Sequence, residues 1–204
     1  KYIAITTSAN FGNMVSMAIA SVALPFLPLL AKQILLNNFL ADMPSLAIAT
    51  DNVDAEQTRR PSRWNIAFVR RFMLTFGLVS SAFDFLTFGF LLFVLKATEA
   101  TFQTGWFVES LVTQLAIVLV IRTRKAFWKS RPGRLLSSLT LAVALAAVAI
   151  PYLPGADLFG FVPLPATAMA GIGIITAIYV AFSEGAKRWF YSRGYRHRTR
   201  SLRR

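Results

Sequence analysis

The chain has 204 residues, 55% of them hydrophobic, with 18 phenylalanines and a mean hydropathy of +0.54, an apolarity that excludes a soluble domain of this length and indicates a polytopic membrane protein. A formal charge of +13 would suit a nucleic-acid binder if it were spread over a soluble fold, but the basic residues form clusters that alternate with apolar runs, the pattern of a topology signal, and no nucleic acid is expected as a partner. With no cysteine, neither disulfides nor thiolate metal sites enter.

The opening Lys1-Tyr2-Ile3 runs into an apolar segment without the n-region and cleavage site of a signal peptide, and the chain is expected to be part of a longer one. Six spans are predicted, giving an all-α polytopic membrane helix bundle. The first two cover Ile3–Leu24 and Leu27–Ile48, separated by Pro25 and Pro28, which cannot continue a helix ladder. A polar segment from Thr50 to Asn65 follows, with Asp51, Asp54, Glu56, Arg59, Arg60 and Arg63; it cannot sit in lipid. The third span runs Phe72–Leu95 and the fourth Phe102–Ile121, joined by the short turn Lys96-Ala97-Thr98-Glu99. A second basic loop, Arg122 to Arg134, precedes the Ala-rich fifth span, Leu135–Tyr152. Four prolines between Pro151 and Pro165, with Tyr152, Phe159 and Phe161, mark an interfacial connector. The sixth span is Pro165–Ala186, and residues 187–204 form a basic tail suited to anionic lipid.

Lys1, the two basic loops with Arg70 and Arg71, and the tail hold 20 of the 22 Lys and Arg residues, so both termini are expected to be cytoplasmic.

Within this apolar frame the polar residues are few and patterned. Asn38 and Asp42 are four apart and share a helix face, and Asn10 and Asn13, three apart, share one on the preceding span. Carboxylate and amide oxygens are the ligands that hard cations such as Mg²⁺ and Ca²⁺ require. Pro44 deprives the Leu40 carbonyl of its helical donor, and a helix broken there would offer that oxygen too. An interhelical hydrogen bond, on the order of 0.6 kcal/mol, accounts equally well for Asn10 or Asn37 alone. Asp42 demands more, because a charge at the bilayer centre costs roughly 2.5–3.5 kcal/mol. Asp84 and Glu109 are further intramembrane acids. Either can coordinate the ion, pair with Lys32 or with the other, or cap a helix end, and structural pairing is the preferred reading of Asp84. Glu184, close to Lys187 and Arg188, is expected to form a surface ion pair.

The stretches Ser8-Ala9-Asn10-Phe11-Gly12-Asn13, Leu36 to Asp54 (LNNFLADMPSLAIATDNVD), Arg71 to Thr87 (RFMLTFGLVSSAFDFLT) and Phe102 to Lys125 (FQTGWFVESLVTQLAIVLVIRTRK) resemble the C-terminal membrane region, helices five to ten, of cation-transporting P-type ATPases, most closely the bacterial magnesium-translocating pumps. The last two spans match only in pattern. The resemblance implies metal positions at Asn10 and Asn13 on the fifth family helix and at Asn38 and Asp42 on the sixth, with Glu109 on the eighth, where calcium pumps also place an acid. Calcium pumps carry a glutamate where this chain has Asn13 and a threonine where it has Ala41. A site with fewer charges is implied, and Mg²⁺, which keeps several waters, is the expected cargo, moved across the plasma membrane. The family's phosphorylated Asp-Lys-Thr-Gly segment, nucleotide-binding domain and Thr-Gly-Glu loop are absent from this sequence. The resemblance therefore implies that ATP is bound and hydrolysed in an N-terminal part carrying helices one to four. A free-standing channel or secondary carrier, or a lipid-holding scaffold, are the alternatives.

Overall fold

The computed structural model describes residues 2–48, 51, 66–123 and 125–201, with side-chain surroundings for 7–8, 10–48, 51, 66–123 and 125–192. Among the described residues six α-helices follow one another: α1 Tyr2–Ala23, α2 Ala31–Ala47, α3 Ile66–Gly89, α4 Glu99–Ile121, α5 Arg134–Ala149 and α6 Ala166–Ser201. No strand occurs among the described residues. Among the described residues four segments, Ile66–Val94, Glu99–Ile121, Arg134–Tyr152 and Ala166–Ser192, are long and apolar enough to cross a membrane. The chain is an all-α, multi-pass membrane bundle.

The α1–α2 hairpin turns over residues 24–30, where Pro25 and Pro28 stop the ladder, and the Gln33 side chain accepts the Leu30 N–H (3.0 Å) to start α2. The break expected at Pro44 does not occur, since α2 continues to Ala47. Pro44 lies within the last turn, so few ladder bonds depend on it, and the Ser45 hydroxyl bonds back to the Ala41 carbonyl (3.0 Å).

The third helix begins six residues before the predicted Phe72. Its first turn is held by aromatic contacts, with Phe68 and Phe72 both packing edge-on against Phe190 of α6. It ends in a π-helical turn, Phe90–Val94, which lays the Phe90 ring on Gly171; a Cβ at Gly171 would fall 2.1 Å from that ring. The turn into α4 uses Lys96 at φ 48°, the one non-glycine residue at positive φ among those described. Thr98 caps α4 through its side chain.

Most of α4 is buried, 17 of its 23 residues, so this helix is the bundle's axis and the others surround it. One layer of the core gathers on Phe88, Phe102, Trp106 and Phe107, with Phe88 edge-on to Trp106 at 4.8 Å. A second layer gathers on Phe72, Phe76, Ile117 and Tyr179. Helices α1 and α3 run parallel and very close. A Cβ on Gly12 would lie 2.9 Å from the Gly77 carbonyl and 2.9 Å from Ser80 Cβ, and Ser81 donates to the Gly12 carbonyl (2.9 Å). Small residues allow such an approach where lipid supplies no hydrophobic driving force.

Helix ends meet at two opposite faces. At one face Asp51 accepts two bonds from Arg122 Nη1 (2.9 and 3.2 Å) and one from the Gly133 amide (2.8 Å). At the other face Lys32 reaches the Leu158 carbonyl, Gln33 the Phe159 carbonyl (3.1 Å) and Gln103 the Leu27 carbonyl (2.8 Å).

Glu184 corrects its expectation. Its ion pair with Lys187 (2.8 Å) is buried, with the two side chains 6% and 1% exposed. At this level α6 packs on α4, and Lys187 also donates to the Val120 and Lys125 carbonyls (2.9 and 2.7 Å), capping the C-terminus of α4. Helix α6 also runs on through the predicted tail to Ser201, about 54 Å in all at 1.5 Å per residue. The tail's side chains from Arg193 onward, and the loop acids and arginines from Asp54 to Arg63, lie outside the described residues.

Candidate functional site

The polar residues of α1 and α2 meet. Asn10, Asn13, Met14 and Met17 follow the i, i+3, i+4, i+7 rule along one face of α1, and Ile34, Asn37 and Asn38 do the same on α2. Together with Trp106 and Ser110 of α4 they line a cavity of about 360 Å³. Asn10 and Asn38 are exposed and Asn13 is half-buried.

Asp42 is exposed and does not line the cavity. It sits one turn beyond Asn38, about 6 Å along the axis. Neither Asn10, Asn38 nor Asp42 has a hydrogen-bond partner among the described residues.

Deeper in the cavity wall the carboxamides are held by α4. Ser110 Oγ lies 3.2 Å from Asn13 Nδ2, 3.1 Å from Asn37 Nδ2 and 3.2 Å from Gln114 Nε2. Gln114 Nε2 also donates to Asn37 Oδ1 (3.2 Å). All but Asn13 are at least nine-tenths buried. Ser110 and Gln114 were missing from the sequence-derived candidates. Their signal was present, since polar residues at 109, 110, 113 and 114 form one stripe of a span that is otherwise apolar.

Asp84 and Glu109 form a separate polar group, off the cavity wall. Asp84 is buried, accepts from the Ser16 hydroxyl and takes the Trp106 Nε1–H on Oδ1 (3.2 Å). Glu109 is wholly buried; Asp84 and Thr87 are its polar neighbours, yet neither of its oxygens is hydrogen-bonded among the described residues. Lys32 is committed to the Leu158 carbonyl and joins neither acid. Trp106 belongs to both groups, its ring on the cavity and its N–H on Asp84.

The family profile described as "Cation transporting ATPase, C-terminus" matches residues 26–189. Over 200 residues the chain is 42% identical to the "Magnesium-transporting ATPase, P-type 1" of Escherichia coli (strain K12), and equally to that of Salmonella typhimurium (strain LT2), covering 96% of the chain and 22% of each relative. A "Putative cation-transporting ATPase" of Methanocaldococcus jannaschii is 33% identical over 110 residues, 53% of the chain and 13% of that protein. The chain thus spans about a fifth of the length of the curated relatives it matches first.

Proposed function

From the chain's membership of the family of cation-transporting ATPase C-terminal regions, we propose that it forms the ion-binding transmembrane part of an ATP-driven pump that moves Mg²⁺ across the plasma membrane, with both termini cytoplasmic. ATP hydrolysis belongs to N-terminal domains of the complete protein, coupled to this bundle through the helix ends near Tyr2 and the segment that Asp51 begins. The basic tail lies against anionic lipid.

The observation that carries this reading is the convergence of four asparagines, Asn10, Asn13, Asn37 and Asn38, on one cavity between α1 and α2. Neutral amide oxygens suit a small, hard cation that retains part of its water shell, and Asp42 supplies the one full negative charge close by. An exposed acidic side chain such as Asp42 on an apolar helix has no place against lipid hydrocarbon, so its face is covered in the complete pump by the transmembrane helices of the N-terminal part. Glu109 and Asp84 complete the candidate acids, in a separate buried group off that cavity.

The test is ATP-driven Mg²⁺ transport by the complete pump in proteoliposomes, read with an entrapped magnesium-sensitive dye. Asp42→Asn is expected to cut transport at least tenfold, and Asn38→Leu to weaken it similarly. Wild-type transport by both variants would refute the assignment. Mg²⁺ flux that persists without ATP would favour a channel or carrier instead.

A further inference from the structure

The Ser110 hydroxyl is over-supplied with donors. A serine hydroxyl accepts two hydrogen bonds and donates one, yet three amide nitrogens lie within 3.2 Å of Ser110 Oγ. Its own proton has no acceptor among the described residues, although the residue is 1% exposed. A buried polar hydrogen without a partner is costly. Two of the three amides are fixed. Gln114 Nε2 bonds Asn37 Oδ1 as well as Ser110, so turning either of that pair alone would set like ends against each other. Asn13 has no such second tie. Its two amide ends are nearly identical in shape, so exchanging them needs no movement of the neighbours.

We propose that Ser110 is a positioning residue that sets the polarity of the Asn13 carboxamide: with the cavity empty, Asn13 gives its carbonyl oxygen to the Ser110 hydroxyl and turns its NH₂ to the cavity, and a hard divalent cation binds only by reversing that amide. This rests on the cation-site reading above. In the first orientation the Ser110 hydroxyl is fully used, because it donates to Asn13 Oδ1 and accepts from Asn37 and Gln114. In the second, Asn13 Oδ1 meets the cation and the Ser110 proton loses its acceptor. Ser110 therefore lowers cation affinity, which favours release from a site that must empty in every cycle.

The experiment is equilibrium Mg²⁺ binding to the complete pump in detergent without nucleotide, by calorimetry. Ser110→Ala removes the hydroxyl that favours the NH₂-out amide and is expected to tighten Mg²⁺ about fivefold, the size of one net hydrogen bond. Ser110→Thr, which keeps the hydroxyl, stays at the wild-type value. In an Asn13→Asp background the carboxylate accepts from Ser110 with one oxygen and faces the cavity with the other, so Ser110→Ala no longer tightens binding. If Ser110→Ala does not reach the membrane, Ser110→Cys, a poor donor of similar size, carries the same expectation. Unchanged or weaker binding in the Ser110 variant, or equal tightening in both backgrounds, overturns the proposal. Should Asp42→Asn weaken Mg²⁺ while Ser110→Ala leaves it unchanged, only this inference fails; should neither variant matter, the cation-site reading fails with it.

Discussion

Trp106 stands between the two polar groups of the bundle, its ring on the cavity wall and its Nε1–H on Asp84. Phenylalanine at this position would lose the donor and also the second ring of the buried indole. Trp106→Phe is therefore expected to lower stability by about 2–4 kcal/mol, a buried hydrogen bond to an acidic group plus the space left by the missing ring, read as a lower thermal midpoint in detergent. Asp84→Asn in the same background should add less than it does alone, because both changes remove one interaction. Asp84 was legible in the sequence as a buried acid needing partners, and structural pairing was the preferred reading. That Ser16 and a tryptophan would serve, rather than Lys32, was not legible, because those partners lie 68 and 22 residues away.

The α1–α3 contact is where element geometry matters most. Ser8, Gly12 and Ser16 recur every four residues and meet Gly77, Ser80 and Asp84 in register, as two parallel helices in close approach require. Gly12→Val would place side-chain atoms against the Gly77 carbonyl and Ser80, and overpacking of this kind costs about 1–3 kcal/mol. Gly173→Ala on α6, with nothing within 4 Å of its Cβ, should leave the midpoint unchanged or raise it slightly. Comparing the two variants by thermal unfolding in detergent separates a packing effect from glycine's intrinsic helix penalty. Because α1 carries Asn10 and Asn13 as well, this seam also sets where the cavity lies. At Pro44 a local rule was outweighed: proline disfavours helix continuation, but so near the end of α2 only the Leu40 carbonyl loses its donor and the loss is small.

Across the whole molecule, two buried cations tie one face together. Arg122 and Asp51 are 2% and 9% exposed at the side chain, joining the end of α4 to the segment after α2, and Arg122 also donates to the Ser130 carbonyl. Lys187 joins α6 to the last turn of α4. Lys187→Met would leave Glu184 with only the longer bond from exposed Arg188 (3.4 Å) and is expected to cost about 3–5 kcal/mol, as when one partner of a buried pair is removed. Adding Glu184→Gln should restore much of that loss, measured by the same thermal midpoint. These ties hold the end of the bundle from which coupling to ATP hydrolysis is proposed, so Arg122→Met should reduce Mg²⁺ transport more than Mg²⁺ binding; equal loss of both would argue against a coupling role.

By itself the sequence determined the membrane class and the all-α bundle, because bilayer thickness and helical period act on local stretches of chain and leave a pattern of spacing and composition. Only the tertiary structure decided that Asn13 and Asn37 share Ser110 with Gln114, that Asp84 and Glu109 sit apart from the cavity, and that Glu184 is buried. Those outcomes depend on which helices pack side by side and at what register, and such contacts join residues tens of positions apart whose proximity no local periodicity encodes.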